Sequence, residues 1–151
     1  MTSSQAWSRI KEIAGERRDE SARTLAGIAT RARDAQQQLE LLLGYRLDYR
    51  ARFDTAVRAG IRGEALRNFQ GFLANLEQAI ALQTQATKAI EHEMSIARQR
   101  VVADQRRAES YQVIDDRRAN VTLAQERRND QRLQDEMASR PAPAMAGKRD
   151  H

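Results

Sequence analysis

Apolar residues recur along this chain in alternating steps of three and four. They run Leu25, Ile28, Ala32, Ala35, Leu39 and Leu42, with Tyr49 and Phe53 carrying the stripe onward. That spacing keeps one face of an α-helix turned toward a partner helix, as in a coiled-coil seam. Arg46 interrupts the stripe between Leu42 and Tyr49. A weaker set upstream, Trp7, Ile10, Ala14 and Ser21, reads as offset from it, as an inserted half-turn would make it. A second stripe starts at Leu66 and continues through Phe69, Leu73, Leu76 and Ile80, then Gln83, Thr87, Ile90, Met94, Ala97 and Val101. Gln83 and Thr87 dilute its middle with polar groups.

Between the stripes stand Gly60 and Gly63, the one mid-chain cluster of glycines, and no proline occurs before Pro141. Glycine supplies the left-handed backbone that ends one helix and lets the next begin. The pattern predicts a helix over about 4–57, a turn at 58–63 and a second helix over about 64–139. At ~1.5 Å per residue the first would be roughly 80 Å long. Two such helices joined by a short connector fold back antiparallel. The expected architecture is all-α: a long two-stranded antiparallel coiled coil, a helical hairpin, over 1–140. A small-residue and charged tail over 141–151 is expected to be disordered.

Past Val102 large apolar residues thin out, and ten Arg and eight acids fall between Arg98 and Arg140. Asp104, Asp115 and Glu126 recur every 11 residues, as do Arg106, Arg117 and Arg128. An 11-residue step is close to three full turns, so each set lines one face. Such a face is either braced by intrahelical ion pairs or offered to a partner as a charged docking surface.

Composition sharpens the picture. Charged residues make up 31% of the 151 and aromatics 5%, with 7 Gly and 2 Pro, which excludes a sheet protein. With no Cys there is no disulfide framework and no thiolate chemistry. No uninterrupted apolar run approaches the ~20 residues of a membrane span, and a cytosolic protein is expected. Net charge is +5, modest because 21 acids are interspersed among 26 Lys and Arg. That interspersion argues against a nucleic-acid binder, which needs a basic stripe free of acids. A membrane-surface helix is disfavoured too, since no strongly apolar face borders a basic one.

No catalytic constellation is present. His92 and His151 are the only histidines, and Glu91, His92 and Glu93 in succession do not share a helix face as metal ligands would. Gly60 and Gly63 are followed by no lysine–hydroxyl pair of a phosphate loop. The expectation is no enzyme, no cofactor and no metal. What stands out is an aromatic and amide stripe beside the seam. Gln38, Leu42, Tyr45 and Tyr49 step by four, three and four on the first helix, and Phe72, Leu76 and Ala79 by four and three on the second. In an antiparallel hairpin both sets fall near the turn. They either pack over the flanks of the seam or remain exposed as a partner site.

Three blocks make the chain resemble the FliJ family, small coiled-coil proteins of the flagellar type III export apparatus. The first is Gln38 to Arg50, with Leu-Leu-Leu-Gly-Tyr at 41–45 and Asp-Tyr-Arg at 48–50. The second joins Ala59-Gly60-Ile61 to Asn68-Phe69-Gln70-Gly71-Phe72 and Leu76-Glu77-Gln78-Ala79-Ile80. The third runs from Glu126-Arg127-Arg128-Asn129-Asp130-Gln131-Arg132 to Asp135-Glu136-Met137-Ala138. The resemblance implies a non-catalytic protein, similar to the central stalk of rotary ATPases. Its free ends would enter the hexameric export ATPase, FliI, promoting ring assembly and hydrolysis. Its turn end would bind the cytoplasmic domain of the export-gate protein FlhA, and it would also bind export chaperones.

The gate-binding positions carry over onto Gln38, Leu42, Tyr45, Tyr49, Phe72, Leu76 and Ala79; a further family position, commonly His, is Gln83 here. Arg17, Arg18, Arg127, Arg128 and Arg132 are the candidates to meet acidic loops of a ring lumen. The implied location is the cytoplasmic face of the inner membrane at the flagellar base. A virulence-type injectisome stalk is the neighbouring alternative, and exposed seam residues allow weak self-association.

Overall fold

The computed structural model describes residues 2–141. It holds two α-helices, α1 (Ser3–Arg58) and α2 (Glu64–Ser139), and no strand among the described residues. Within residues 1–108 the two helices pack against each other as an antiparallel hairpin; a second unit begins at Glu109. The disordered tail expected over 141–151 lies, apart from exposed Pro141, outside the described residues.

Local chemistry fixes each end of α1. Thr2 accepts the Gln5 amide at 3.2 Å while the Gln5 side chain accepts the Thr2 amide at 3.0 Å, a reciprocal capping box. At the other end the Gly60 amide donates to Val57 O at 3.1 Å and the Ile61 amide to Ala56 O at 3.0 Å. These are the paired bonds of a Schellman motif, which needs left-handed backbone at the residue after the cap. Gly60 supplies it with φ 94°, and Gly63, with φ 67°, does the same at the entry to α2.

The seam is more regular than its apolar residues suggest. On α1, Trp7, Ala14, Ser21, Ile28, Ala35, Leu42 and Tyr49 recur every seven residues, and each is buried or half-buried. The offset expected before Leu25 is therefore absent. Ile10 had suggested it, but Ile10 is exposed and half-buried Lys11 occupies the seam position beside it. Arg46 does not break the seam either. It is half-buried there and carries its guanidinium out to Glu77 at 3.1 Å. Long basic side chains can cover apolar surface with their stems in this way.

On α2 seam positions, each buried or half-buried, alternate three and four without a slip from Leu66 to Val101 and on through Asp104 and Ala108. Contacts along the hairpin give one register: Phe53 against Phe69, Arg50 on Glu77, Ala35 under Thr87, Arg31 on Glu93.

The second unit differs. Tyr111 and Asp115 are half-buried, and every described residue after Asp115 is exposed. Gln112 bonds Asp116 at 3.0 Å and Gln131 bonds Asp135 at 3.3 Å, so amide–carboxylate pairs one turn apart help brace this helix.

Candidate functional site

The carried-over gate positions fall into two groups. Leu42, Tyr49 and Leu76 are seam residues; Leu76 is only 7% exposed and belongs to the core. Gln38, Tyr45, Phe72 and Ala79 each stand one residue before a seam position, namely Leu39, Arg46, Leu73 and Ile80. Arg31 and Glu93 occupy the same type of position, one heptad before Gln38 and two heptads after Ala79, and they meet across the helices at 3.2 Å. Gln38, Tyr45, Phe72 and Ala79 therefore share one flank of the hairpin.

That flank is apolar near the turn. Tyr45 is 58% exposed and Phe72 49% exposed. Phe72 is nonetheless anchored, its ring 4.2 Å from that of Tyr49, which in turn lies 5.2 Å from Phe69. Tilted rings at such distances attract through their quadrupoles as well as by burial. Tyr49 is thus a support from beneath, and Phe72 is what it presents.

Two further apolar residues on this side escaped the sequence reading. Leu41 lies one turn before Tyr45 and is 53% exposed; with Gln37, Glu40, Gly44 and Tyr45 it lines an open groove of about 530 Å³. Gly44 puts no side chain into this groove, and a Cβ there would meet nothing within 4 Å. Leu82, one turn beyond Ala79 and seam-offset in the same sense as Leu41, is 61% exposed. Leu41 and Leu82 were detectable as leucines off the seam. Gln83, by contrast, is half-buried in the seam with its amide on Ala35 O, so it is not part of the exposed flank.

The opposite flank is spanned by charge. Glu77 receives Arg46 at 3.1 Å on one oxygen and Arg50 at 2.6 Å on the other. A carboxylate shared by two guanidiniums bridges the helices there, beside Leu47 and Val57 of α1, which are 75% and 46% exposed.

The arginines proposed for a ring contact lie in different settings. In the first unit Arg18 contacts Asp19 at 3.3 Å, and Arg17 lines a polar groove with Glu20, Ser21, Thr24, Arg100 and Asp104. In the second, Arg132 donates to Asn129 at 3.2 Å. No ion pair among the described residues engages Arg127 or Arg128, which are exposed. No group of three or more His, Asp or Glu among the described residues is arranged to hold a metal ion. His92 is exposed on α2, and His151 lies outside the described residues. No described helix is long and apolar enough to cross a membrane.

Comparison with known proteins converges on one family. The family profile described as "Flagellar FliJ protein" matches residues 4–143. The chain is 29% identical over 133 residues to the flagellar FliJ protein of Escherichia coli (strain K12), covering 88% of this chain and 90% of that protein. It is 31% identical over 137 residues to the flagellar FliJ protein of Salmonella typhi, with the same two coverages, 88% and 90%.

Proposed function

This chain belongs to the FliJ family of flagellar proteins, and from that premise we propose that it is a non-catalytic component of flagellar protein export with two separate docking regions. The turn-proximal flank binds the cytoplasmic domain of FlhA through Tyr45, Phe72 and Ala79, with Gln38 at its edge. Leu42, Tyr49 and Leu76 act beneath them, holding the aromatic groups in place. Leu41 and Leu82 widen the same surface. The observation that carries this reading is the asymmetry of the flanks. One keeps Tyr45 and Phe72 about half exposed, while the other is bridged by Glu77 and two arginines. Exposed aromatic residues resting on a packed support are the usual anchors of a protein interface.

The exposed Arg127 and Arg128, together with Arg132, Arg17 and Arg18, contact the hexameric export ATPase FliI. A two-helix rod cannot meet six subunits equivalently, so its binding biases neighbouring active sites toward different states. Export chaperones and weak self-association use exposed surface of the same rod, at the cytoplasmic face of the flagellar base. Family membership favours the flagellar system over a virulence-type injectisome.

Titration of FlhA cytoplasmic domain against the wild-type chain and the Tyr45→Ala/Phe72→Ala variant tests the flank. Binding lost at unchanged helicity supports it, and equal affinity refutes it. ATP hydrolysis by the cognate ATPase, with the wild type and with Arg127→Glu/Arg128→Glu, tests the second region. Stimulation that the variant loses supports the assignment; stimulation that both retain removes it.

A further inference from the structure

Five threonine hydroxyls in the helices have assigned acceptors, and one behaves differently from the rest. Thr30, Thr55, Thr84 and Thr122 each donate to the carbonyl four residues back in their own helix. Thr87 instead crosses the interface to Ala35 O of α1, at 3.4 Å. Gln83, one turn earlier, reaches the same oxygen with its amide at 3.0 Å. The Gln83 bond has the shorter, stronger geometry, and the Thr87 contact reinforces it. A helical carbonyl keeps one lone pair beyond its intrahelical bond, and the two donors share it.

The opposing residues make this contact possible. Ala32 and Ala35 leave the α1 backbone uncovered where a larger side chain would shield it. Thr87 is only 4% exposed, so its hydroxyl has little access to water. If α2 slid along α1 by one heptad, Gln83 and Thr87 would face other seam residues and lose this carbonyl.

We propose that Gln83 and Thr87, with Ala35 opposite, set the register of the hairpin. Apolar layers discriminate weakly among registers, because a shift of one heptad again places apolar residues against apolar residues. The glycine turn adds a constraint at one end only. A polar layer that meets an uncovered backbone carbonyl favours the register that supplies it, at some cost in stability. The half-buried Gln83 amide has no intrahelical substitute of the kind open to Thr87. Tyr45 and Phe72 come from different helices, so this register places them on one surface. Gln83 and Thr87 are positioning residues for that surface, not contacts within it.

The absence of cysteine makes the register directly measurable. Cysteines at Arg31 and Glu93 report the native register. Arg31 with Ala86, or Arg31 with Arg100, reports a slip of one heptad in either direction. The parent chain is expected to form a disulfide at 31–93 and little at the other two pairs. In the Gln83→Met/Thr87→Val background, which keeps side-chain size and removes both donors, at least one slipped pair should rise several-fold. Helicity and melting temperature should be equal or higher. Thr87→Ser, which retains a donor beside an intact Gln83, should keep the single register. A double variant that still crosslinks only at 31–93 overturns the proposal. So does one that loses its helicity, because a register lock trades stability for specificity and its removal should not unfold the rod.

Discussion

The two flanks of the hairpin near its turn are built over the same seam and end in opposite chemistry. One is bridged by charge, Glu77 holding Arg46 and Arg50 across the interface beside exposed Leu47 and Val57. The other stops short of closure, with Tyr45, Phe72, Leu41 and Leu82 each about half exposed or more. Closing both flanks with charge would give a rod with little to offer a partner, and leaving both apolar would invite indiscriminate association. The division separates the residues that hold the helices together from those available to another protein.

Mutations can break that comparison at its base or at either edge. The largest effect is expected beneath both flanks. Leu76→Ala removes a buried seam side chain and should cost ~2–5 kcal/mol in urea unfolding, abolishing FlhA binding only as a consequence of lost structure. Tyr45→Ala/Phe72→Ala should weaken FlhA binding tenfold or more, ~1.4 kcal/mol or above, by calorimetric titration. Its far-ultraviolet circular dichroism should match wild type.

At the turn, Gly60→Ala forces a Cβ into left-handed backbone at φ 94°. A loss of ~1–2 kcal/mol is expected there by thermal melting. The smallest effect belongs to the charged flank. Glu77→Gln should cost about 1 kcal/mol or less, because the pairs are substantially solvated, and the deficit should shrink as salt is raised. If Glu77→Gln impaired FlhA binding as much as the aromatic variant, the division of labour between flanks would be wrong.

The hairpin was legible because its cause is periodic and local. Steps of three and four on both sides of two glycines leave few alternatives, and the aromatic stripe could be picked out by spacing. What escaped notice was chemistry that periodicity does not encode. Grouping Ile10 with Trp7, Ala14 and Ser21 suggested an offset, whereas Trp7, Ala14 and Ser21 continue the column of Ile28 and Ile10 stands exposed beside it. The Thr2–Gln5 cap was visible as a spacing but hidden among other polar residues. Gln83 and Thr87 read as dilution because their partner is a backbone oxygen, which no side-chain pattern reveals. Spacing likewise grouped Leu76 with Phe72, although packing buries the first and exposes the second.

The glycine turn also bears on how the chain folds. Its nearest cross-helix contacts, the rings of Phe53 and Tyr49 against Phe69 and Phe72, close loops shorter than the bridge from Arg50 to Glu77 with its separation of 27. The bridge from Arg31 to Glu93 has a separation of 62. Loop-closure entropy rises with that distance, so the aromatic cluster beside the turn is the cheapest place to start. The hairpin should zip from Gly60 outward, each heptad shortening the effective loop for the next. Kinetic experiments would then find Phe69→Leu slowing folding, while Ala97→Gly mainly speeds unfolding.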